Sequence, residues 1–186
     1  MAKKISDIHP LKSGNLERRE VFEEVGRAIV HLSDIENLLA SLFHALVLPK
    51  APSPSMELFY DQGTFEKKMK LVDFIFHLEG SKEELERWRK IAAQLDAHRG
   101  ARNLIAHYGM YVDSPDRNGR VDVLLHPPWL KGKPENKKPY LRLAEIRATA
   151  SALDKIRADL AKFDYDIDQS YMPQHLRDDY SSDDED

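Results

Sequence analysis

Asp96-Ala97-His98-Arg99-Gly100-Ala101-Arg102-Asn103-Leu104-Ile105-Ala106-His107-Tyr108 closes a helical pattern that opens near Lys82. Its inner seam reads Trp88, Ile91, Leu95, His98, Arg102, Ile105, with steps of three or four throughout. Residues at that spacing share one helix face. Four of the six are apolar and two are basic. Arg102 lies one heptad beyond Leu95 and two beyond Trp88, where the first half of the helix puts core side chains. A buried arginine needs an anion or carbonyl partner. Glu36, a backbone carbonyl or a ligand phosphate could each supply it. The alternative is that the seam leaves the core by residue 98 and Arg102 is solvated.

Outward from this stretch the chain reads as mainly α. From about Leu16 to Leu48, Val21, Val25, Ala28, Leu32, Ile35, Leu39, Leu42 and Leu46 repeat with alternating steps of four and three. A second stripe, Phe22, Ile29, Glu36 and Phe43, runs beside it. Two adjoining apolar stripes exceed what one intramolecular partner covers, so this helix is expected to face its own core and a second subunit. Glu36 interrupts the second stripe. It either takes a cationic or hydrogen-bonding partner or lies at the stripe's edge in water.

Pro49, Pro52 and Pro54 end the first helix in a loop. Thr64 is read as the N-cap of a second helix over about 65–78, with Phe65, Met69, Val72 and Phe76 inward. Gly80 breaks it. Ser81 and Glu84 form a capping box for the third helix. Beyond Gly109 the period changes to that of strands at 110–113 and 120–125, joined by a turn with Asn118-Gly119. Lys131 to Lys138 forms a basic loop, and 140–143 a short third strand. A last helix starts near Ala144 and runs to Phe163 or a little beyond, with Leu143, Ile146, Ala150, Leu153, Ile156, Leu160 and Phe163 inward. The expected organisation is a flexible arm over 1–15, one helical domain over 16–168 and an acidic, disordered tail over 169–186. The domain is a bundle of about four helices with a small β-hairpin before the last.

Composition narrows the function classes. The chain has 186 residues and no cysteine, so disulfides and thiolate chemistry are excluded. No apolar run reaches the ~20 residues of a membrane-spanning helix, and residues 1–10 lack the apolar segment of a secretory signal. A cytoplasmic protein with no membrane partner is expected. The net charge of −4 hides an asymmetry, because residues 178–186 carry six acids and no base. The histidines form no H-x3-H pair or carboxylate cluster with metal spacing, so neither metal nor cofactor is expected. No Gly-rich phosphate loop, Walker pattern or G-x-S-x-G is present.

Arg102-Asn103-Leu104-Ile105-Ala106-His107 resembles the R-x4-6-H motif of the HEPN superfamily (higher eukaryote and prokaryote nucleotide-binding domains). In that family the motif lies near the end of a bundle helix, and a polar residue, often asparagine, follows the arginine. The order of elements is similar over roughly residues 16–165: a long first helix, a lysine-bearing second helix like Thr64-Phe65-Glu66-Lys67-Lys68, the motif, a hairpin and a last helix. The resemblance implies metal-independent RNA cleavage by a homodimer whose two motifs line one cleft. It implies Arg102 and His107 as catalytic residues and Asn103 as accessory. Members serve as toxins, in phage defence or in RNA processing, some with an antitoxin or other protein partner. Others are inactive binders of RNA, nucleotide or protein. A toxin subgroup carries a tyrosine two residues after the histidine, which a partner modifies. Gly109 stands there in this chain, so that regulation is not expected.

The residue types suit the chemistry on their own. RNA carries its own nucleophile, the 2′-hydroxyl. Histidine, with an ordinary pKa of about 6.5, can take or give a proton near neutrality, and arginine offers a fork of donors to phosphate. Geometry constrains the pair. Five residues apart on one helix, Arg102 and His107 point about 140° away from each other. Asn103 shares a face with His107 and Arg99, so Asn103 is expected to orient the His107 ring. Arg102 must reach around, the last turn must distort, or a second subunit must complete the site. Arg99, Tyr108 and His98 are expected to contact RNA, His98 alternatively serving as a hydrogen-bonded core histidine.

Overall fold

The structure, a computed structural model, describes residues 14–47, 55–112, 123–126 and 140–171. The expected N-terminal arm, the Asn118-Gly119 turn, the Lys131–Lys138 loop and most of the acidic tail lie outside these residues.

The described chain is mainly helical with a small antiparallel sheet. Helix α1 spans Gly14–Val47, α2 Ser55–Tyr60, α3 Phe65–Glu79, α4 Lys82–His107 and α5 Leu143–Tyr171. Strands β1 (Gly109–Val112), β2 (Val123–His126) and β3 (Leu141–Arg142) pair antiparallel in that order, with Gly109 opposite His126 and Leu125 opposite Leu141. Helix α2 was not expected from the sequence. It is only six residues long and follows the proline-rich stretch, so it offers too few turns for a helical period to register. Helix α5 runs further than Phe163, because Ile167 is buried and the Tyr171 hydroxyl donates to the Glu79 carbonyl at 2.9 Å.

Helix ends follow their local chemistry. The Thr64 side chain accepts from the Lys67 amide at 3.3 Å. The Ser81 hydroxyl accepts from the Glu84 amide at 3.2 Å, and the Glu84 carboxylate accepts from the Ser81 amide at 2.7 Å, so the capping box is complete. Gly80 is required where it stands, since a Cβ there would lie 2.8 Å from the Phe76 carbonyl oxygen. At the start of α5 the Glu145 carboxylate accepts from the Arg142 amide at 2.8 Å.

The chain forms two compact units, and α1, α4 and α5 each give one segment to each. The first comprises residues 1–32 and 98–154. Its described core is Val21 and Ala28 of α1, Ile105 of α4, Val123, Leu125 and Leu141 of the sheet, and Ile146, Ala150 and Leu153 of α5. Arg147 ties α5 to α1 here, donating to Glu24 at 3.1 Å.

The second unit comprises residues 33–97 and 155–186. Its described core holds the larger side chains: Ile35, Leu39, Leu42, Leu46, Phe59, Val72, Phe76, Trp88, Leu95, Ile156, Leu160, Phe163 and Ile167. Phe76 stacks on Trp88 and on Phe163, with ring centroids 5.4 Å apart in each case. The Trp88 indole N–H donates to Asp73 at 3.1 Å, so a buried donor is satisfied.

Candidate functional site

The motif occupies the last turns of α4, in the first unit. Ile105 is 3 % exposed and anchors this end of the helix in the core. That burial turns the neighbouring positions outward. Arg99, Asn103 and His107 are exposed, while His98, Arg102 and Tyr108 are half-buried. The seam therefore leaves the deep core between Leu95 and Ile105 at its two basic positions, and neither basic side chain is fully buried.

Local bonding departs from the sequence expectation. The Arg102 guanidinium donates from Nη1 to the Asn103 side-chain oxygen at 3.1 Å. Asn103 thus accepts from Arg102. Among the described residues no hydrogen bond joins it to His107, and its side-chain bond runs to the guanidinium instead.

The last turn is not distorted. α4 is α-helical through His107, and the Tyr108 amide still donates to the Leu104 carbonyl at 2.9 Å. On that regular helix the positions of Arg102 and His107 diverge by about 140°, while the bond to Asn103 draws the guanidinium toward the side that Asn103 and His107 share. One copy of α4 presents the histidine on an open face and the arginine on a half-buried one.

Glu36, one of the candidate partners for Arg102, has a cationic partner in Lys68. In the second unit its carboxylate accepts from the Lys68 ammonium. Lys68 is 7 % exposed and also lies over the rings of Phe59 and Tyr60, at 5.4 and 5.0 Å from their centroids. The Tyr60 hydroxyl donates to Asn37 at 3.1 Å. A buried ammonium is tolerated when a carboxylate and aromatic faces replace its water. The inward set expected for α3 holds Met69, which is half-buried, and omits Lys68, which is buried. The signal was present, because Lys68 stands four residues before Val72 and eight before Phe76, on the buried face.

No family profile, curated protein or solved structure matches the chain. Among the described residues, no helix is long and apolar enough to cross a membrane.

Proposed function

We propose that the chain is a metal-independent endoribonuclease of HEPN type, working as a homodimer, with Arg102 and His107 as its catalytic pair and Asn103 holding the arginine. The observation that carries this reading is the placement of the Arg102–His107 stretch. His107 and Asn103 are exposed and Arg102 half-buried in the last turns of a regular helix whose other face is anchored by Ile105.

In this reading His107 of one copy takes the proton of the RNA 2′-hydroxyl. The freed oxygen attacks the adjacent phosphorus, the bond to the 5′-oxygen breaks, and the leaving oxygen takes a proton from water. The products are a 2′,3′-cyclic phosphate and a 5′-hydroxyl end. Arg102 of the other copy donates to the non-bridging phosphate oxygens, where charge builds in the transition state. The divergence of the two helix positions, Arg102 half-buried and His107 exposed, favours this division between copies; a guanidinium that reaches round past Asn103 to His107 of its own chain is the competing arrangement. Arg99, Tyr108 and His98 flank the phosphate path. A role as a toxin or defence effector, with an antitoxin or other protein partner, follows from the same resemblance.

The test is cleavage of single-stranded RNA in EDTA by the wild type, Arg102→Ala and His107→Ala. The reading predicts cyclic-phosphate ends from the wild type and a loss of roughly a hundredfold or more in each variant, the usual worth of a general base. RNA binding without cleavage would instead indicate an inactive binding module. Equal activity in all three proteins would remove the assignment.

A further inference from the structure

One face of α1 in the first unit is apolar, open and built around a glycine. Phe22 is 64 % exposed, Ile29 47 % and Val30 57 %. Gly26 lies between them, and a Cβ added there would meet nothing within 4 Å. Nothing within the described chain therefore requires glycine at this position. Glycine is also the poorest non-proline residue inside a helix. A glycine at the centre of an exposed apolar face is explained by a second backbone approaching closely.

The pattern about Gly26 identifies the partner. With Gly26 as origin and about 100° per residue, Phe22 and Ile29 lie about 40° and 60° to one side. Val30 and Glu23 lie about 40° and 60° to the other, with Arg27 about 100° round beyond them. One flank is thus apolar, and the other carries Val30 next to the centre with a carboxylate and a guanidinium beyond it. A two-fold axis that sets a second α1 antiparallel across Gly26 keeps each flank against its own kind. Phe22 then meets Ile29 of the other copy, while Glu23 lies beside Val30 of the other copy and within reach of the long side chain of its Arg27. A parallel two-fold pair would put the apolar flank against the charged one.

We propose that α1 pairs antiparallel with α1 of a second copy, crossing at Gly26, with Phe22–Ile29 contacts on one flank and reciprocal Glu23–Arg27 ion pairs on the other. Within one chain Glu23 bonds Arg19 at 2.7 Å and Arg27 bonds Glu24 at 2.6 Å. Glu23 and Arg27 keep 60 % and 47 % of their side-chain surface exposed, so both retain room for a partner across the axis. The proposal shares with the ribonuclease reading only the identity of the partner, a second copy. It uses no RNA in its test.

The chain has no cysteine, which makes a direct test clean. Two helices in contact at a glycine bring their Cα atoms within the ~4.4–6.8 Å that a disulfide spans. Full-length Gly26→Cys is expected to form a disulfide-linked dimer under mild oxidation, at least tenfold faster than Ala93→Cys on the exposed face of α4. Sedimentation of the untagged chain gives the second readout. Glu23→Arg and Arg27→Glu should each weaken the dimer by roughly tenfold, since each reversal acts twice across the axis. The double variant, which restores both pairs in reverse, should return dissociation to near the wild-type value. A monomeric wild type, Gly26→Cys linking no faster than Ala93→Cys, or single reversals that leave dissociation unchanged would each overturn the proposal. A dimer built this way that never cleaves RNA would leave it standing and remove the ribonuclease reading instead.

Discussion

Arg102 and Asn103, adjacent on α4, are joined through their side chains, with guanidinium Nη1 donating to the asparagine oxygen at 3.1 Å. Neighbouring residues on a helix diverge by about 100°, so the bond draws the arginine toward the open side that Asn103 occupies. In the proposed reaction this fixes the direction from which the guanidinium meets phosphate.

Asn103→Ala should therefore lower RNA cleavage by roughly tenfold, the worth of one bond to a charged group. The loss should be smaller than in Arg102→Ala. Asn103→Asp keeps an acceptor for Arg102 but sets a negative charge beside the phosphate path, so RNA affinity should fall further than with alanine. Binding isotherms and single-turnover cleavage separate the two effects. Unchanged cleavage in Asn103→Ala would mean that the other contacts of Arg102 hold it in place.

The Lys68–Glu36 pair joins α3 to α1 in the second unit with little water around the ammonium. Removing one partner strands a charge, whereas replacing both leaves an apolar contact. Lys68→Met alone should cost about 2–3 kcal/mol in urea denaturation. Lys68→Met with Glu36→Leu should recover more than half of that. A double variant no better than the single one would show that the aromatic contacts of Lys68, and not the ion pair, carry the effect.

Asp164 on α5 predicts a pH dependence. Burial pushes its carboxyl up to about 6 from the usual 3.8; a hydrogen bond with Ser41 opposes the rise, and the charge of Asp168 adds to it. Below about pH 4 both folded and unfolded chains hold the proton. Between about 4 and 6 the unfolded chain releases it while the folded chain keeps it, so stability falls as pH rises through that window. Asp164→Asn should remove this slope and raise stability at pH 7 by about 1 kcal/mol, allowing for solvent near the group. Denaturation at pH 4.5 and 7.0 checks it. An unaltered slope would assign the effect to other carboxylates.

The buried side of the fold was legible because its residues repeat. Ile35, Leu39, Leu42 and Leu46 on α1, and Ile146, Leu153, Leu160 and Phe163 on α5, sit where their spacing places them. Capping chemistry located the starts of α3 and α4 for the same reason: Thr64, Ser81 and Glu84 act within one turn. Contacts between distant parts of the chain were less legible. Periodicity put Glu36 on a stripe but carried no information on whether Lys68 or Arg102 would meet it. The same limit applies to Phe22 and Ile29, which fall on an apolar stripe yet stay exposed. At the candidate site the spacing fixed which helix positions diverge, since the last turn of α4 is regular. It did not reveal that Asn103 would serve the arginine, because both bonding options lie within reach of one short side chain.

The central claim is that the arginine of one copy works with the histidine of the other. Mixing Arg102→Ala with His107→Ala tests it most directly. Each variant alone lacks one member of every site. In a mixed dimer, one site joins the intact arginine of one chain to the intact histidine of the other. Random exchange makes about half the dimers mixed, each with one of two sites restored. Two inactive proteins, mixed and allowed to exchange, should recover about a quarter of wild-type RNA cleavage. No recovery from a mixture shown by native mass spectrometry to contain mixed dimers would contradict it.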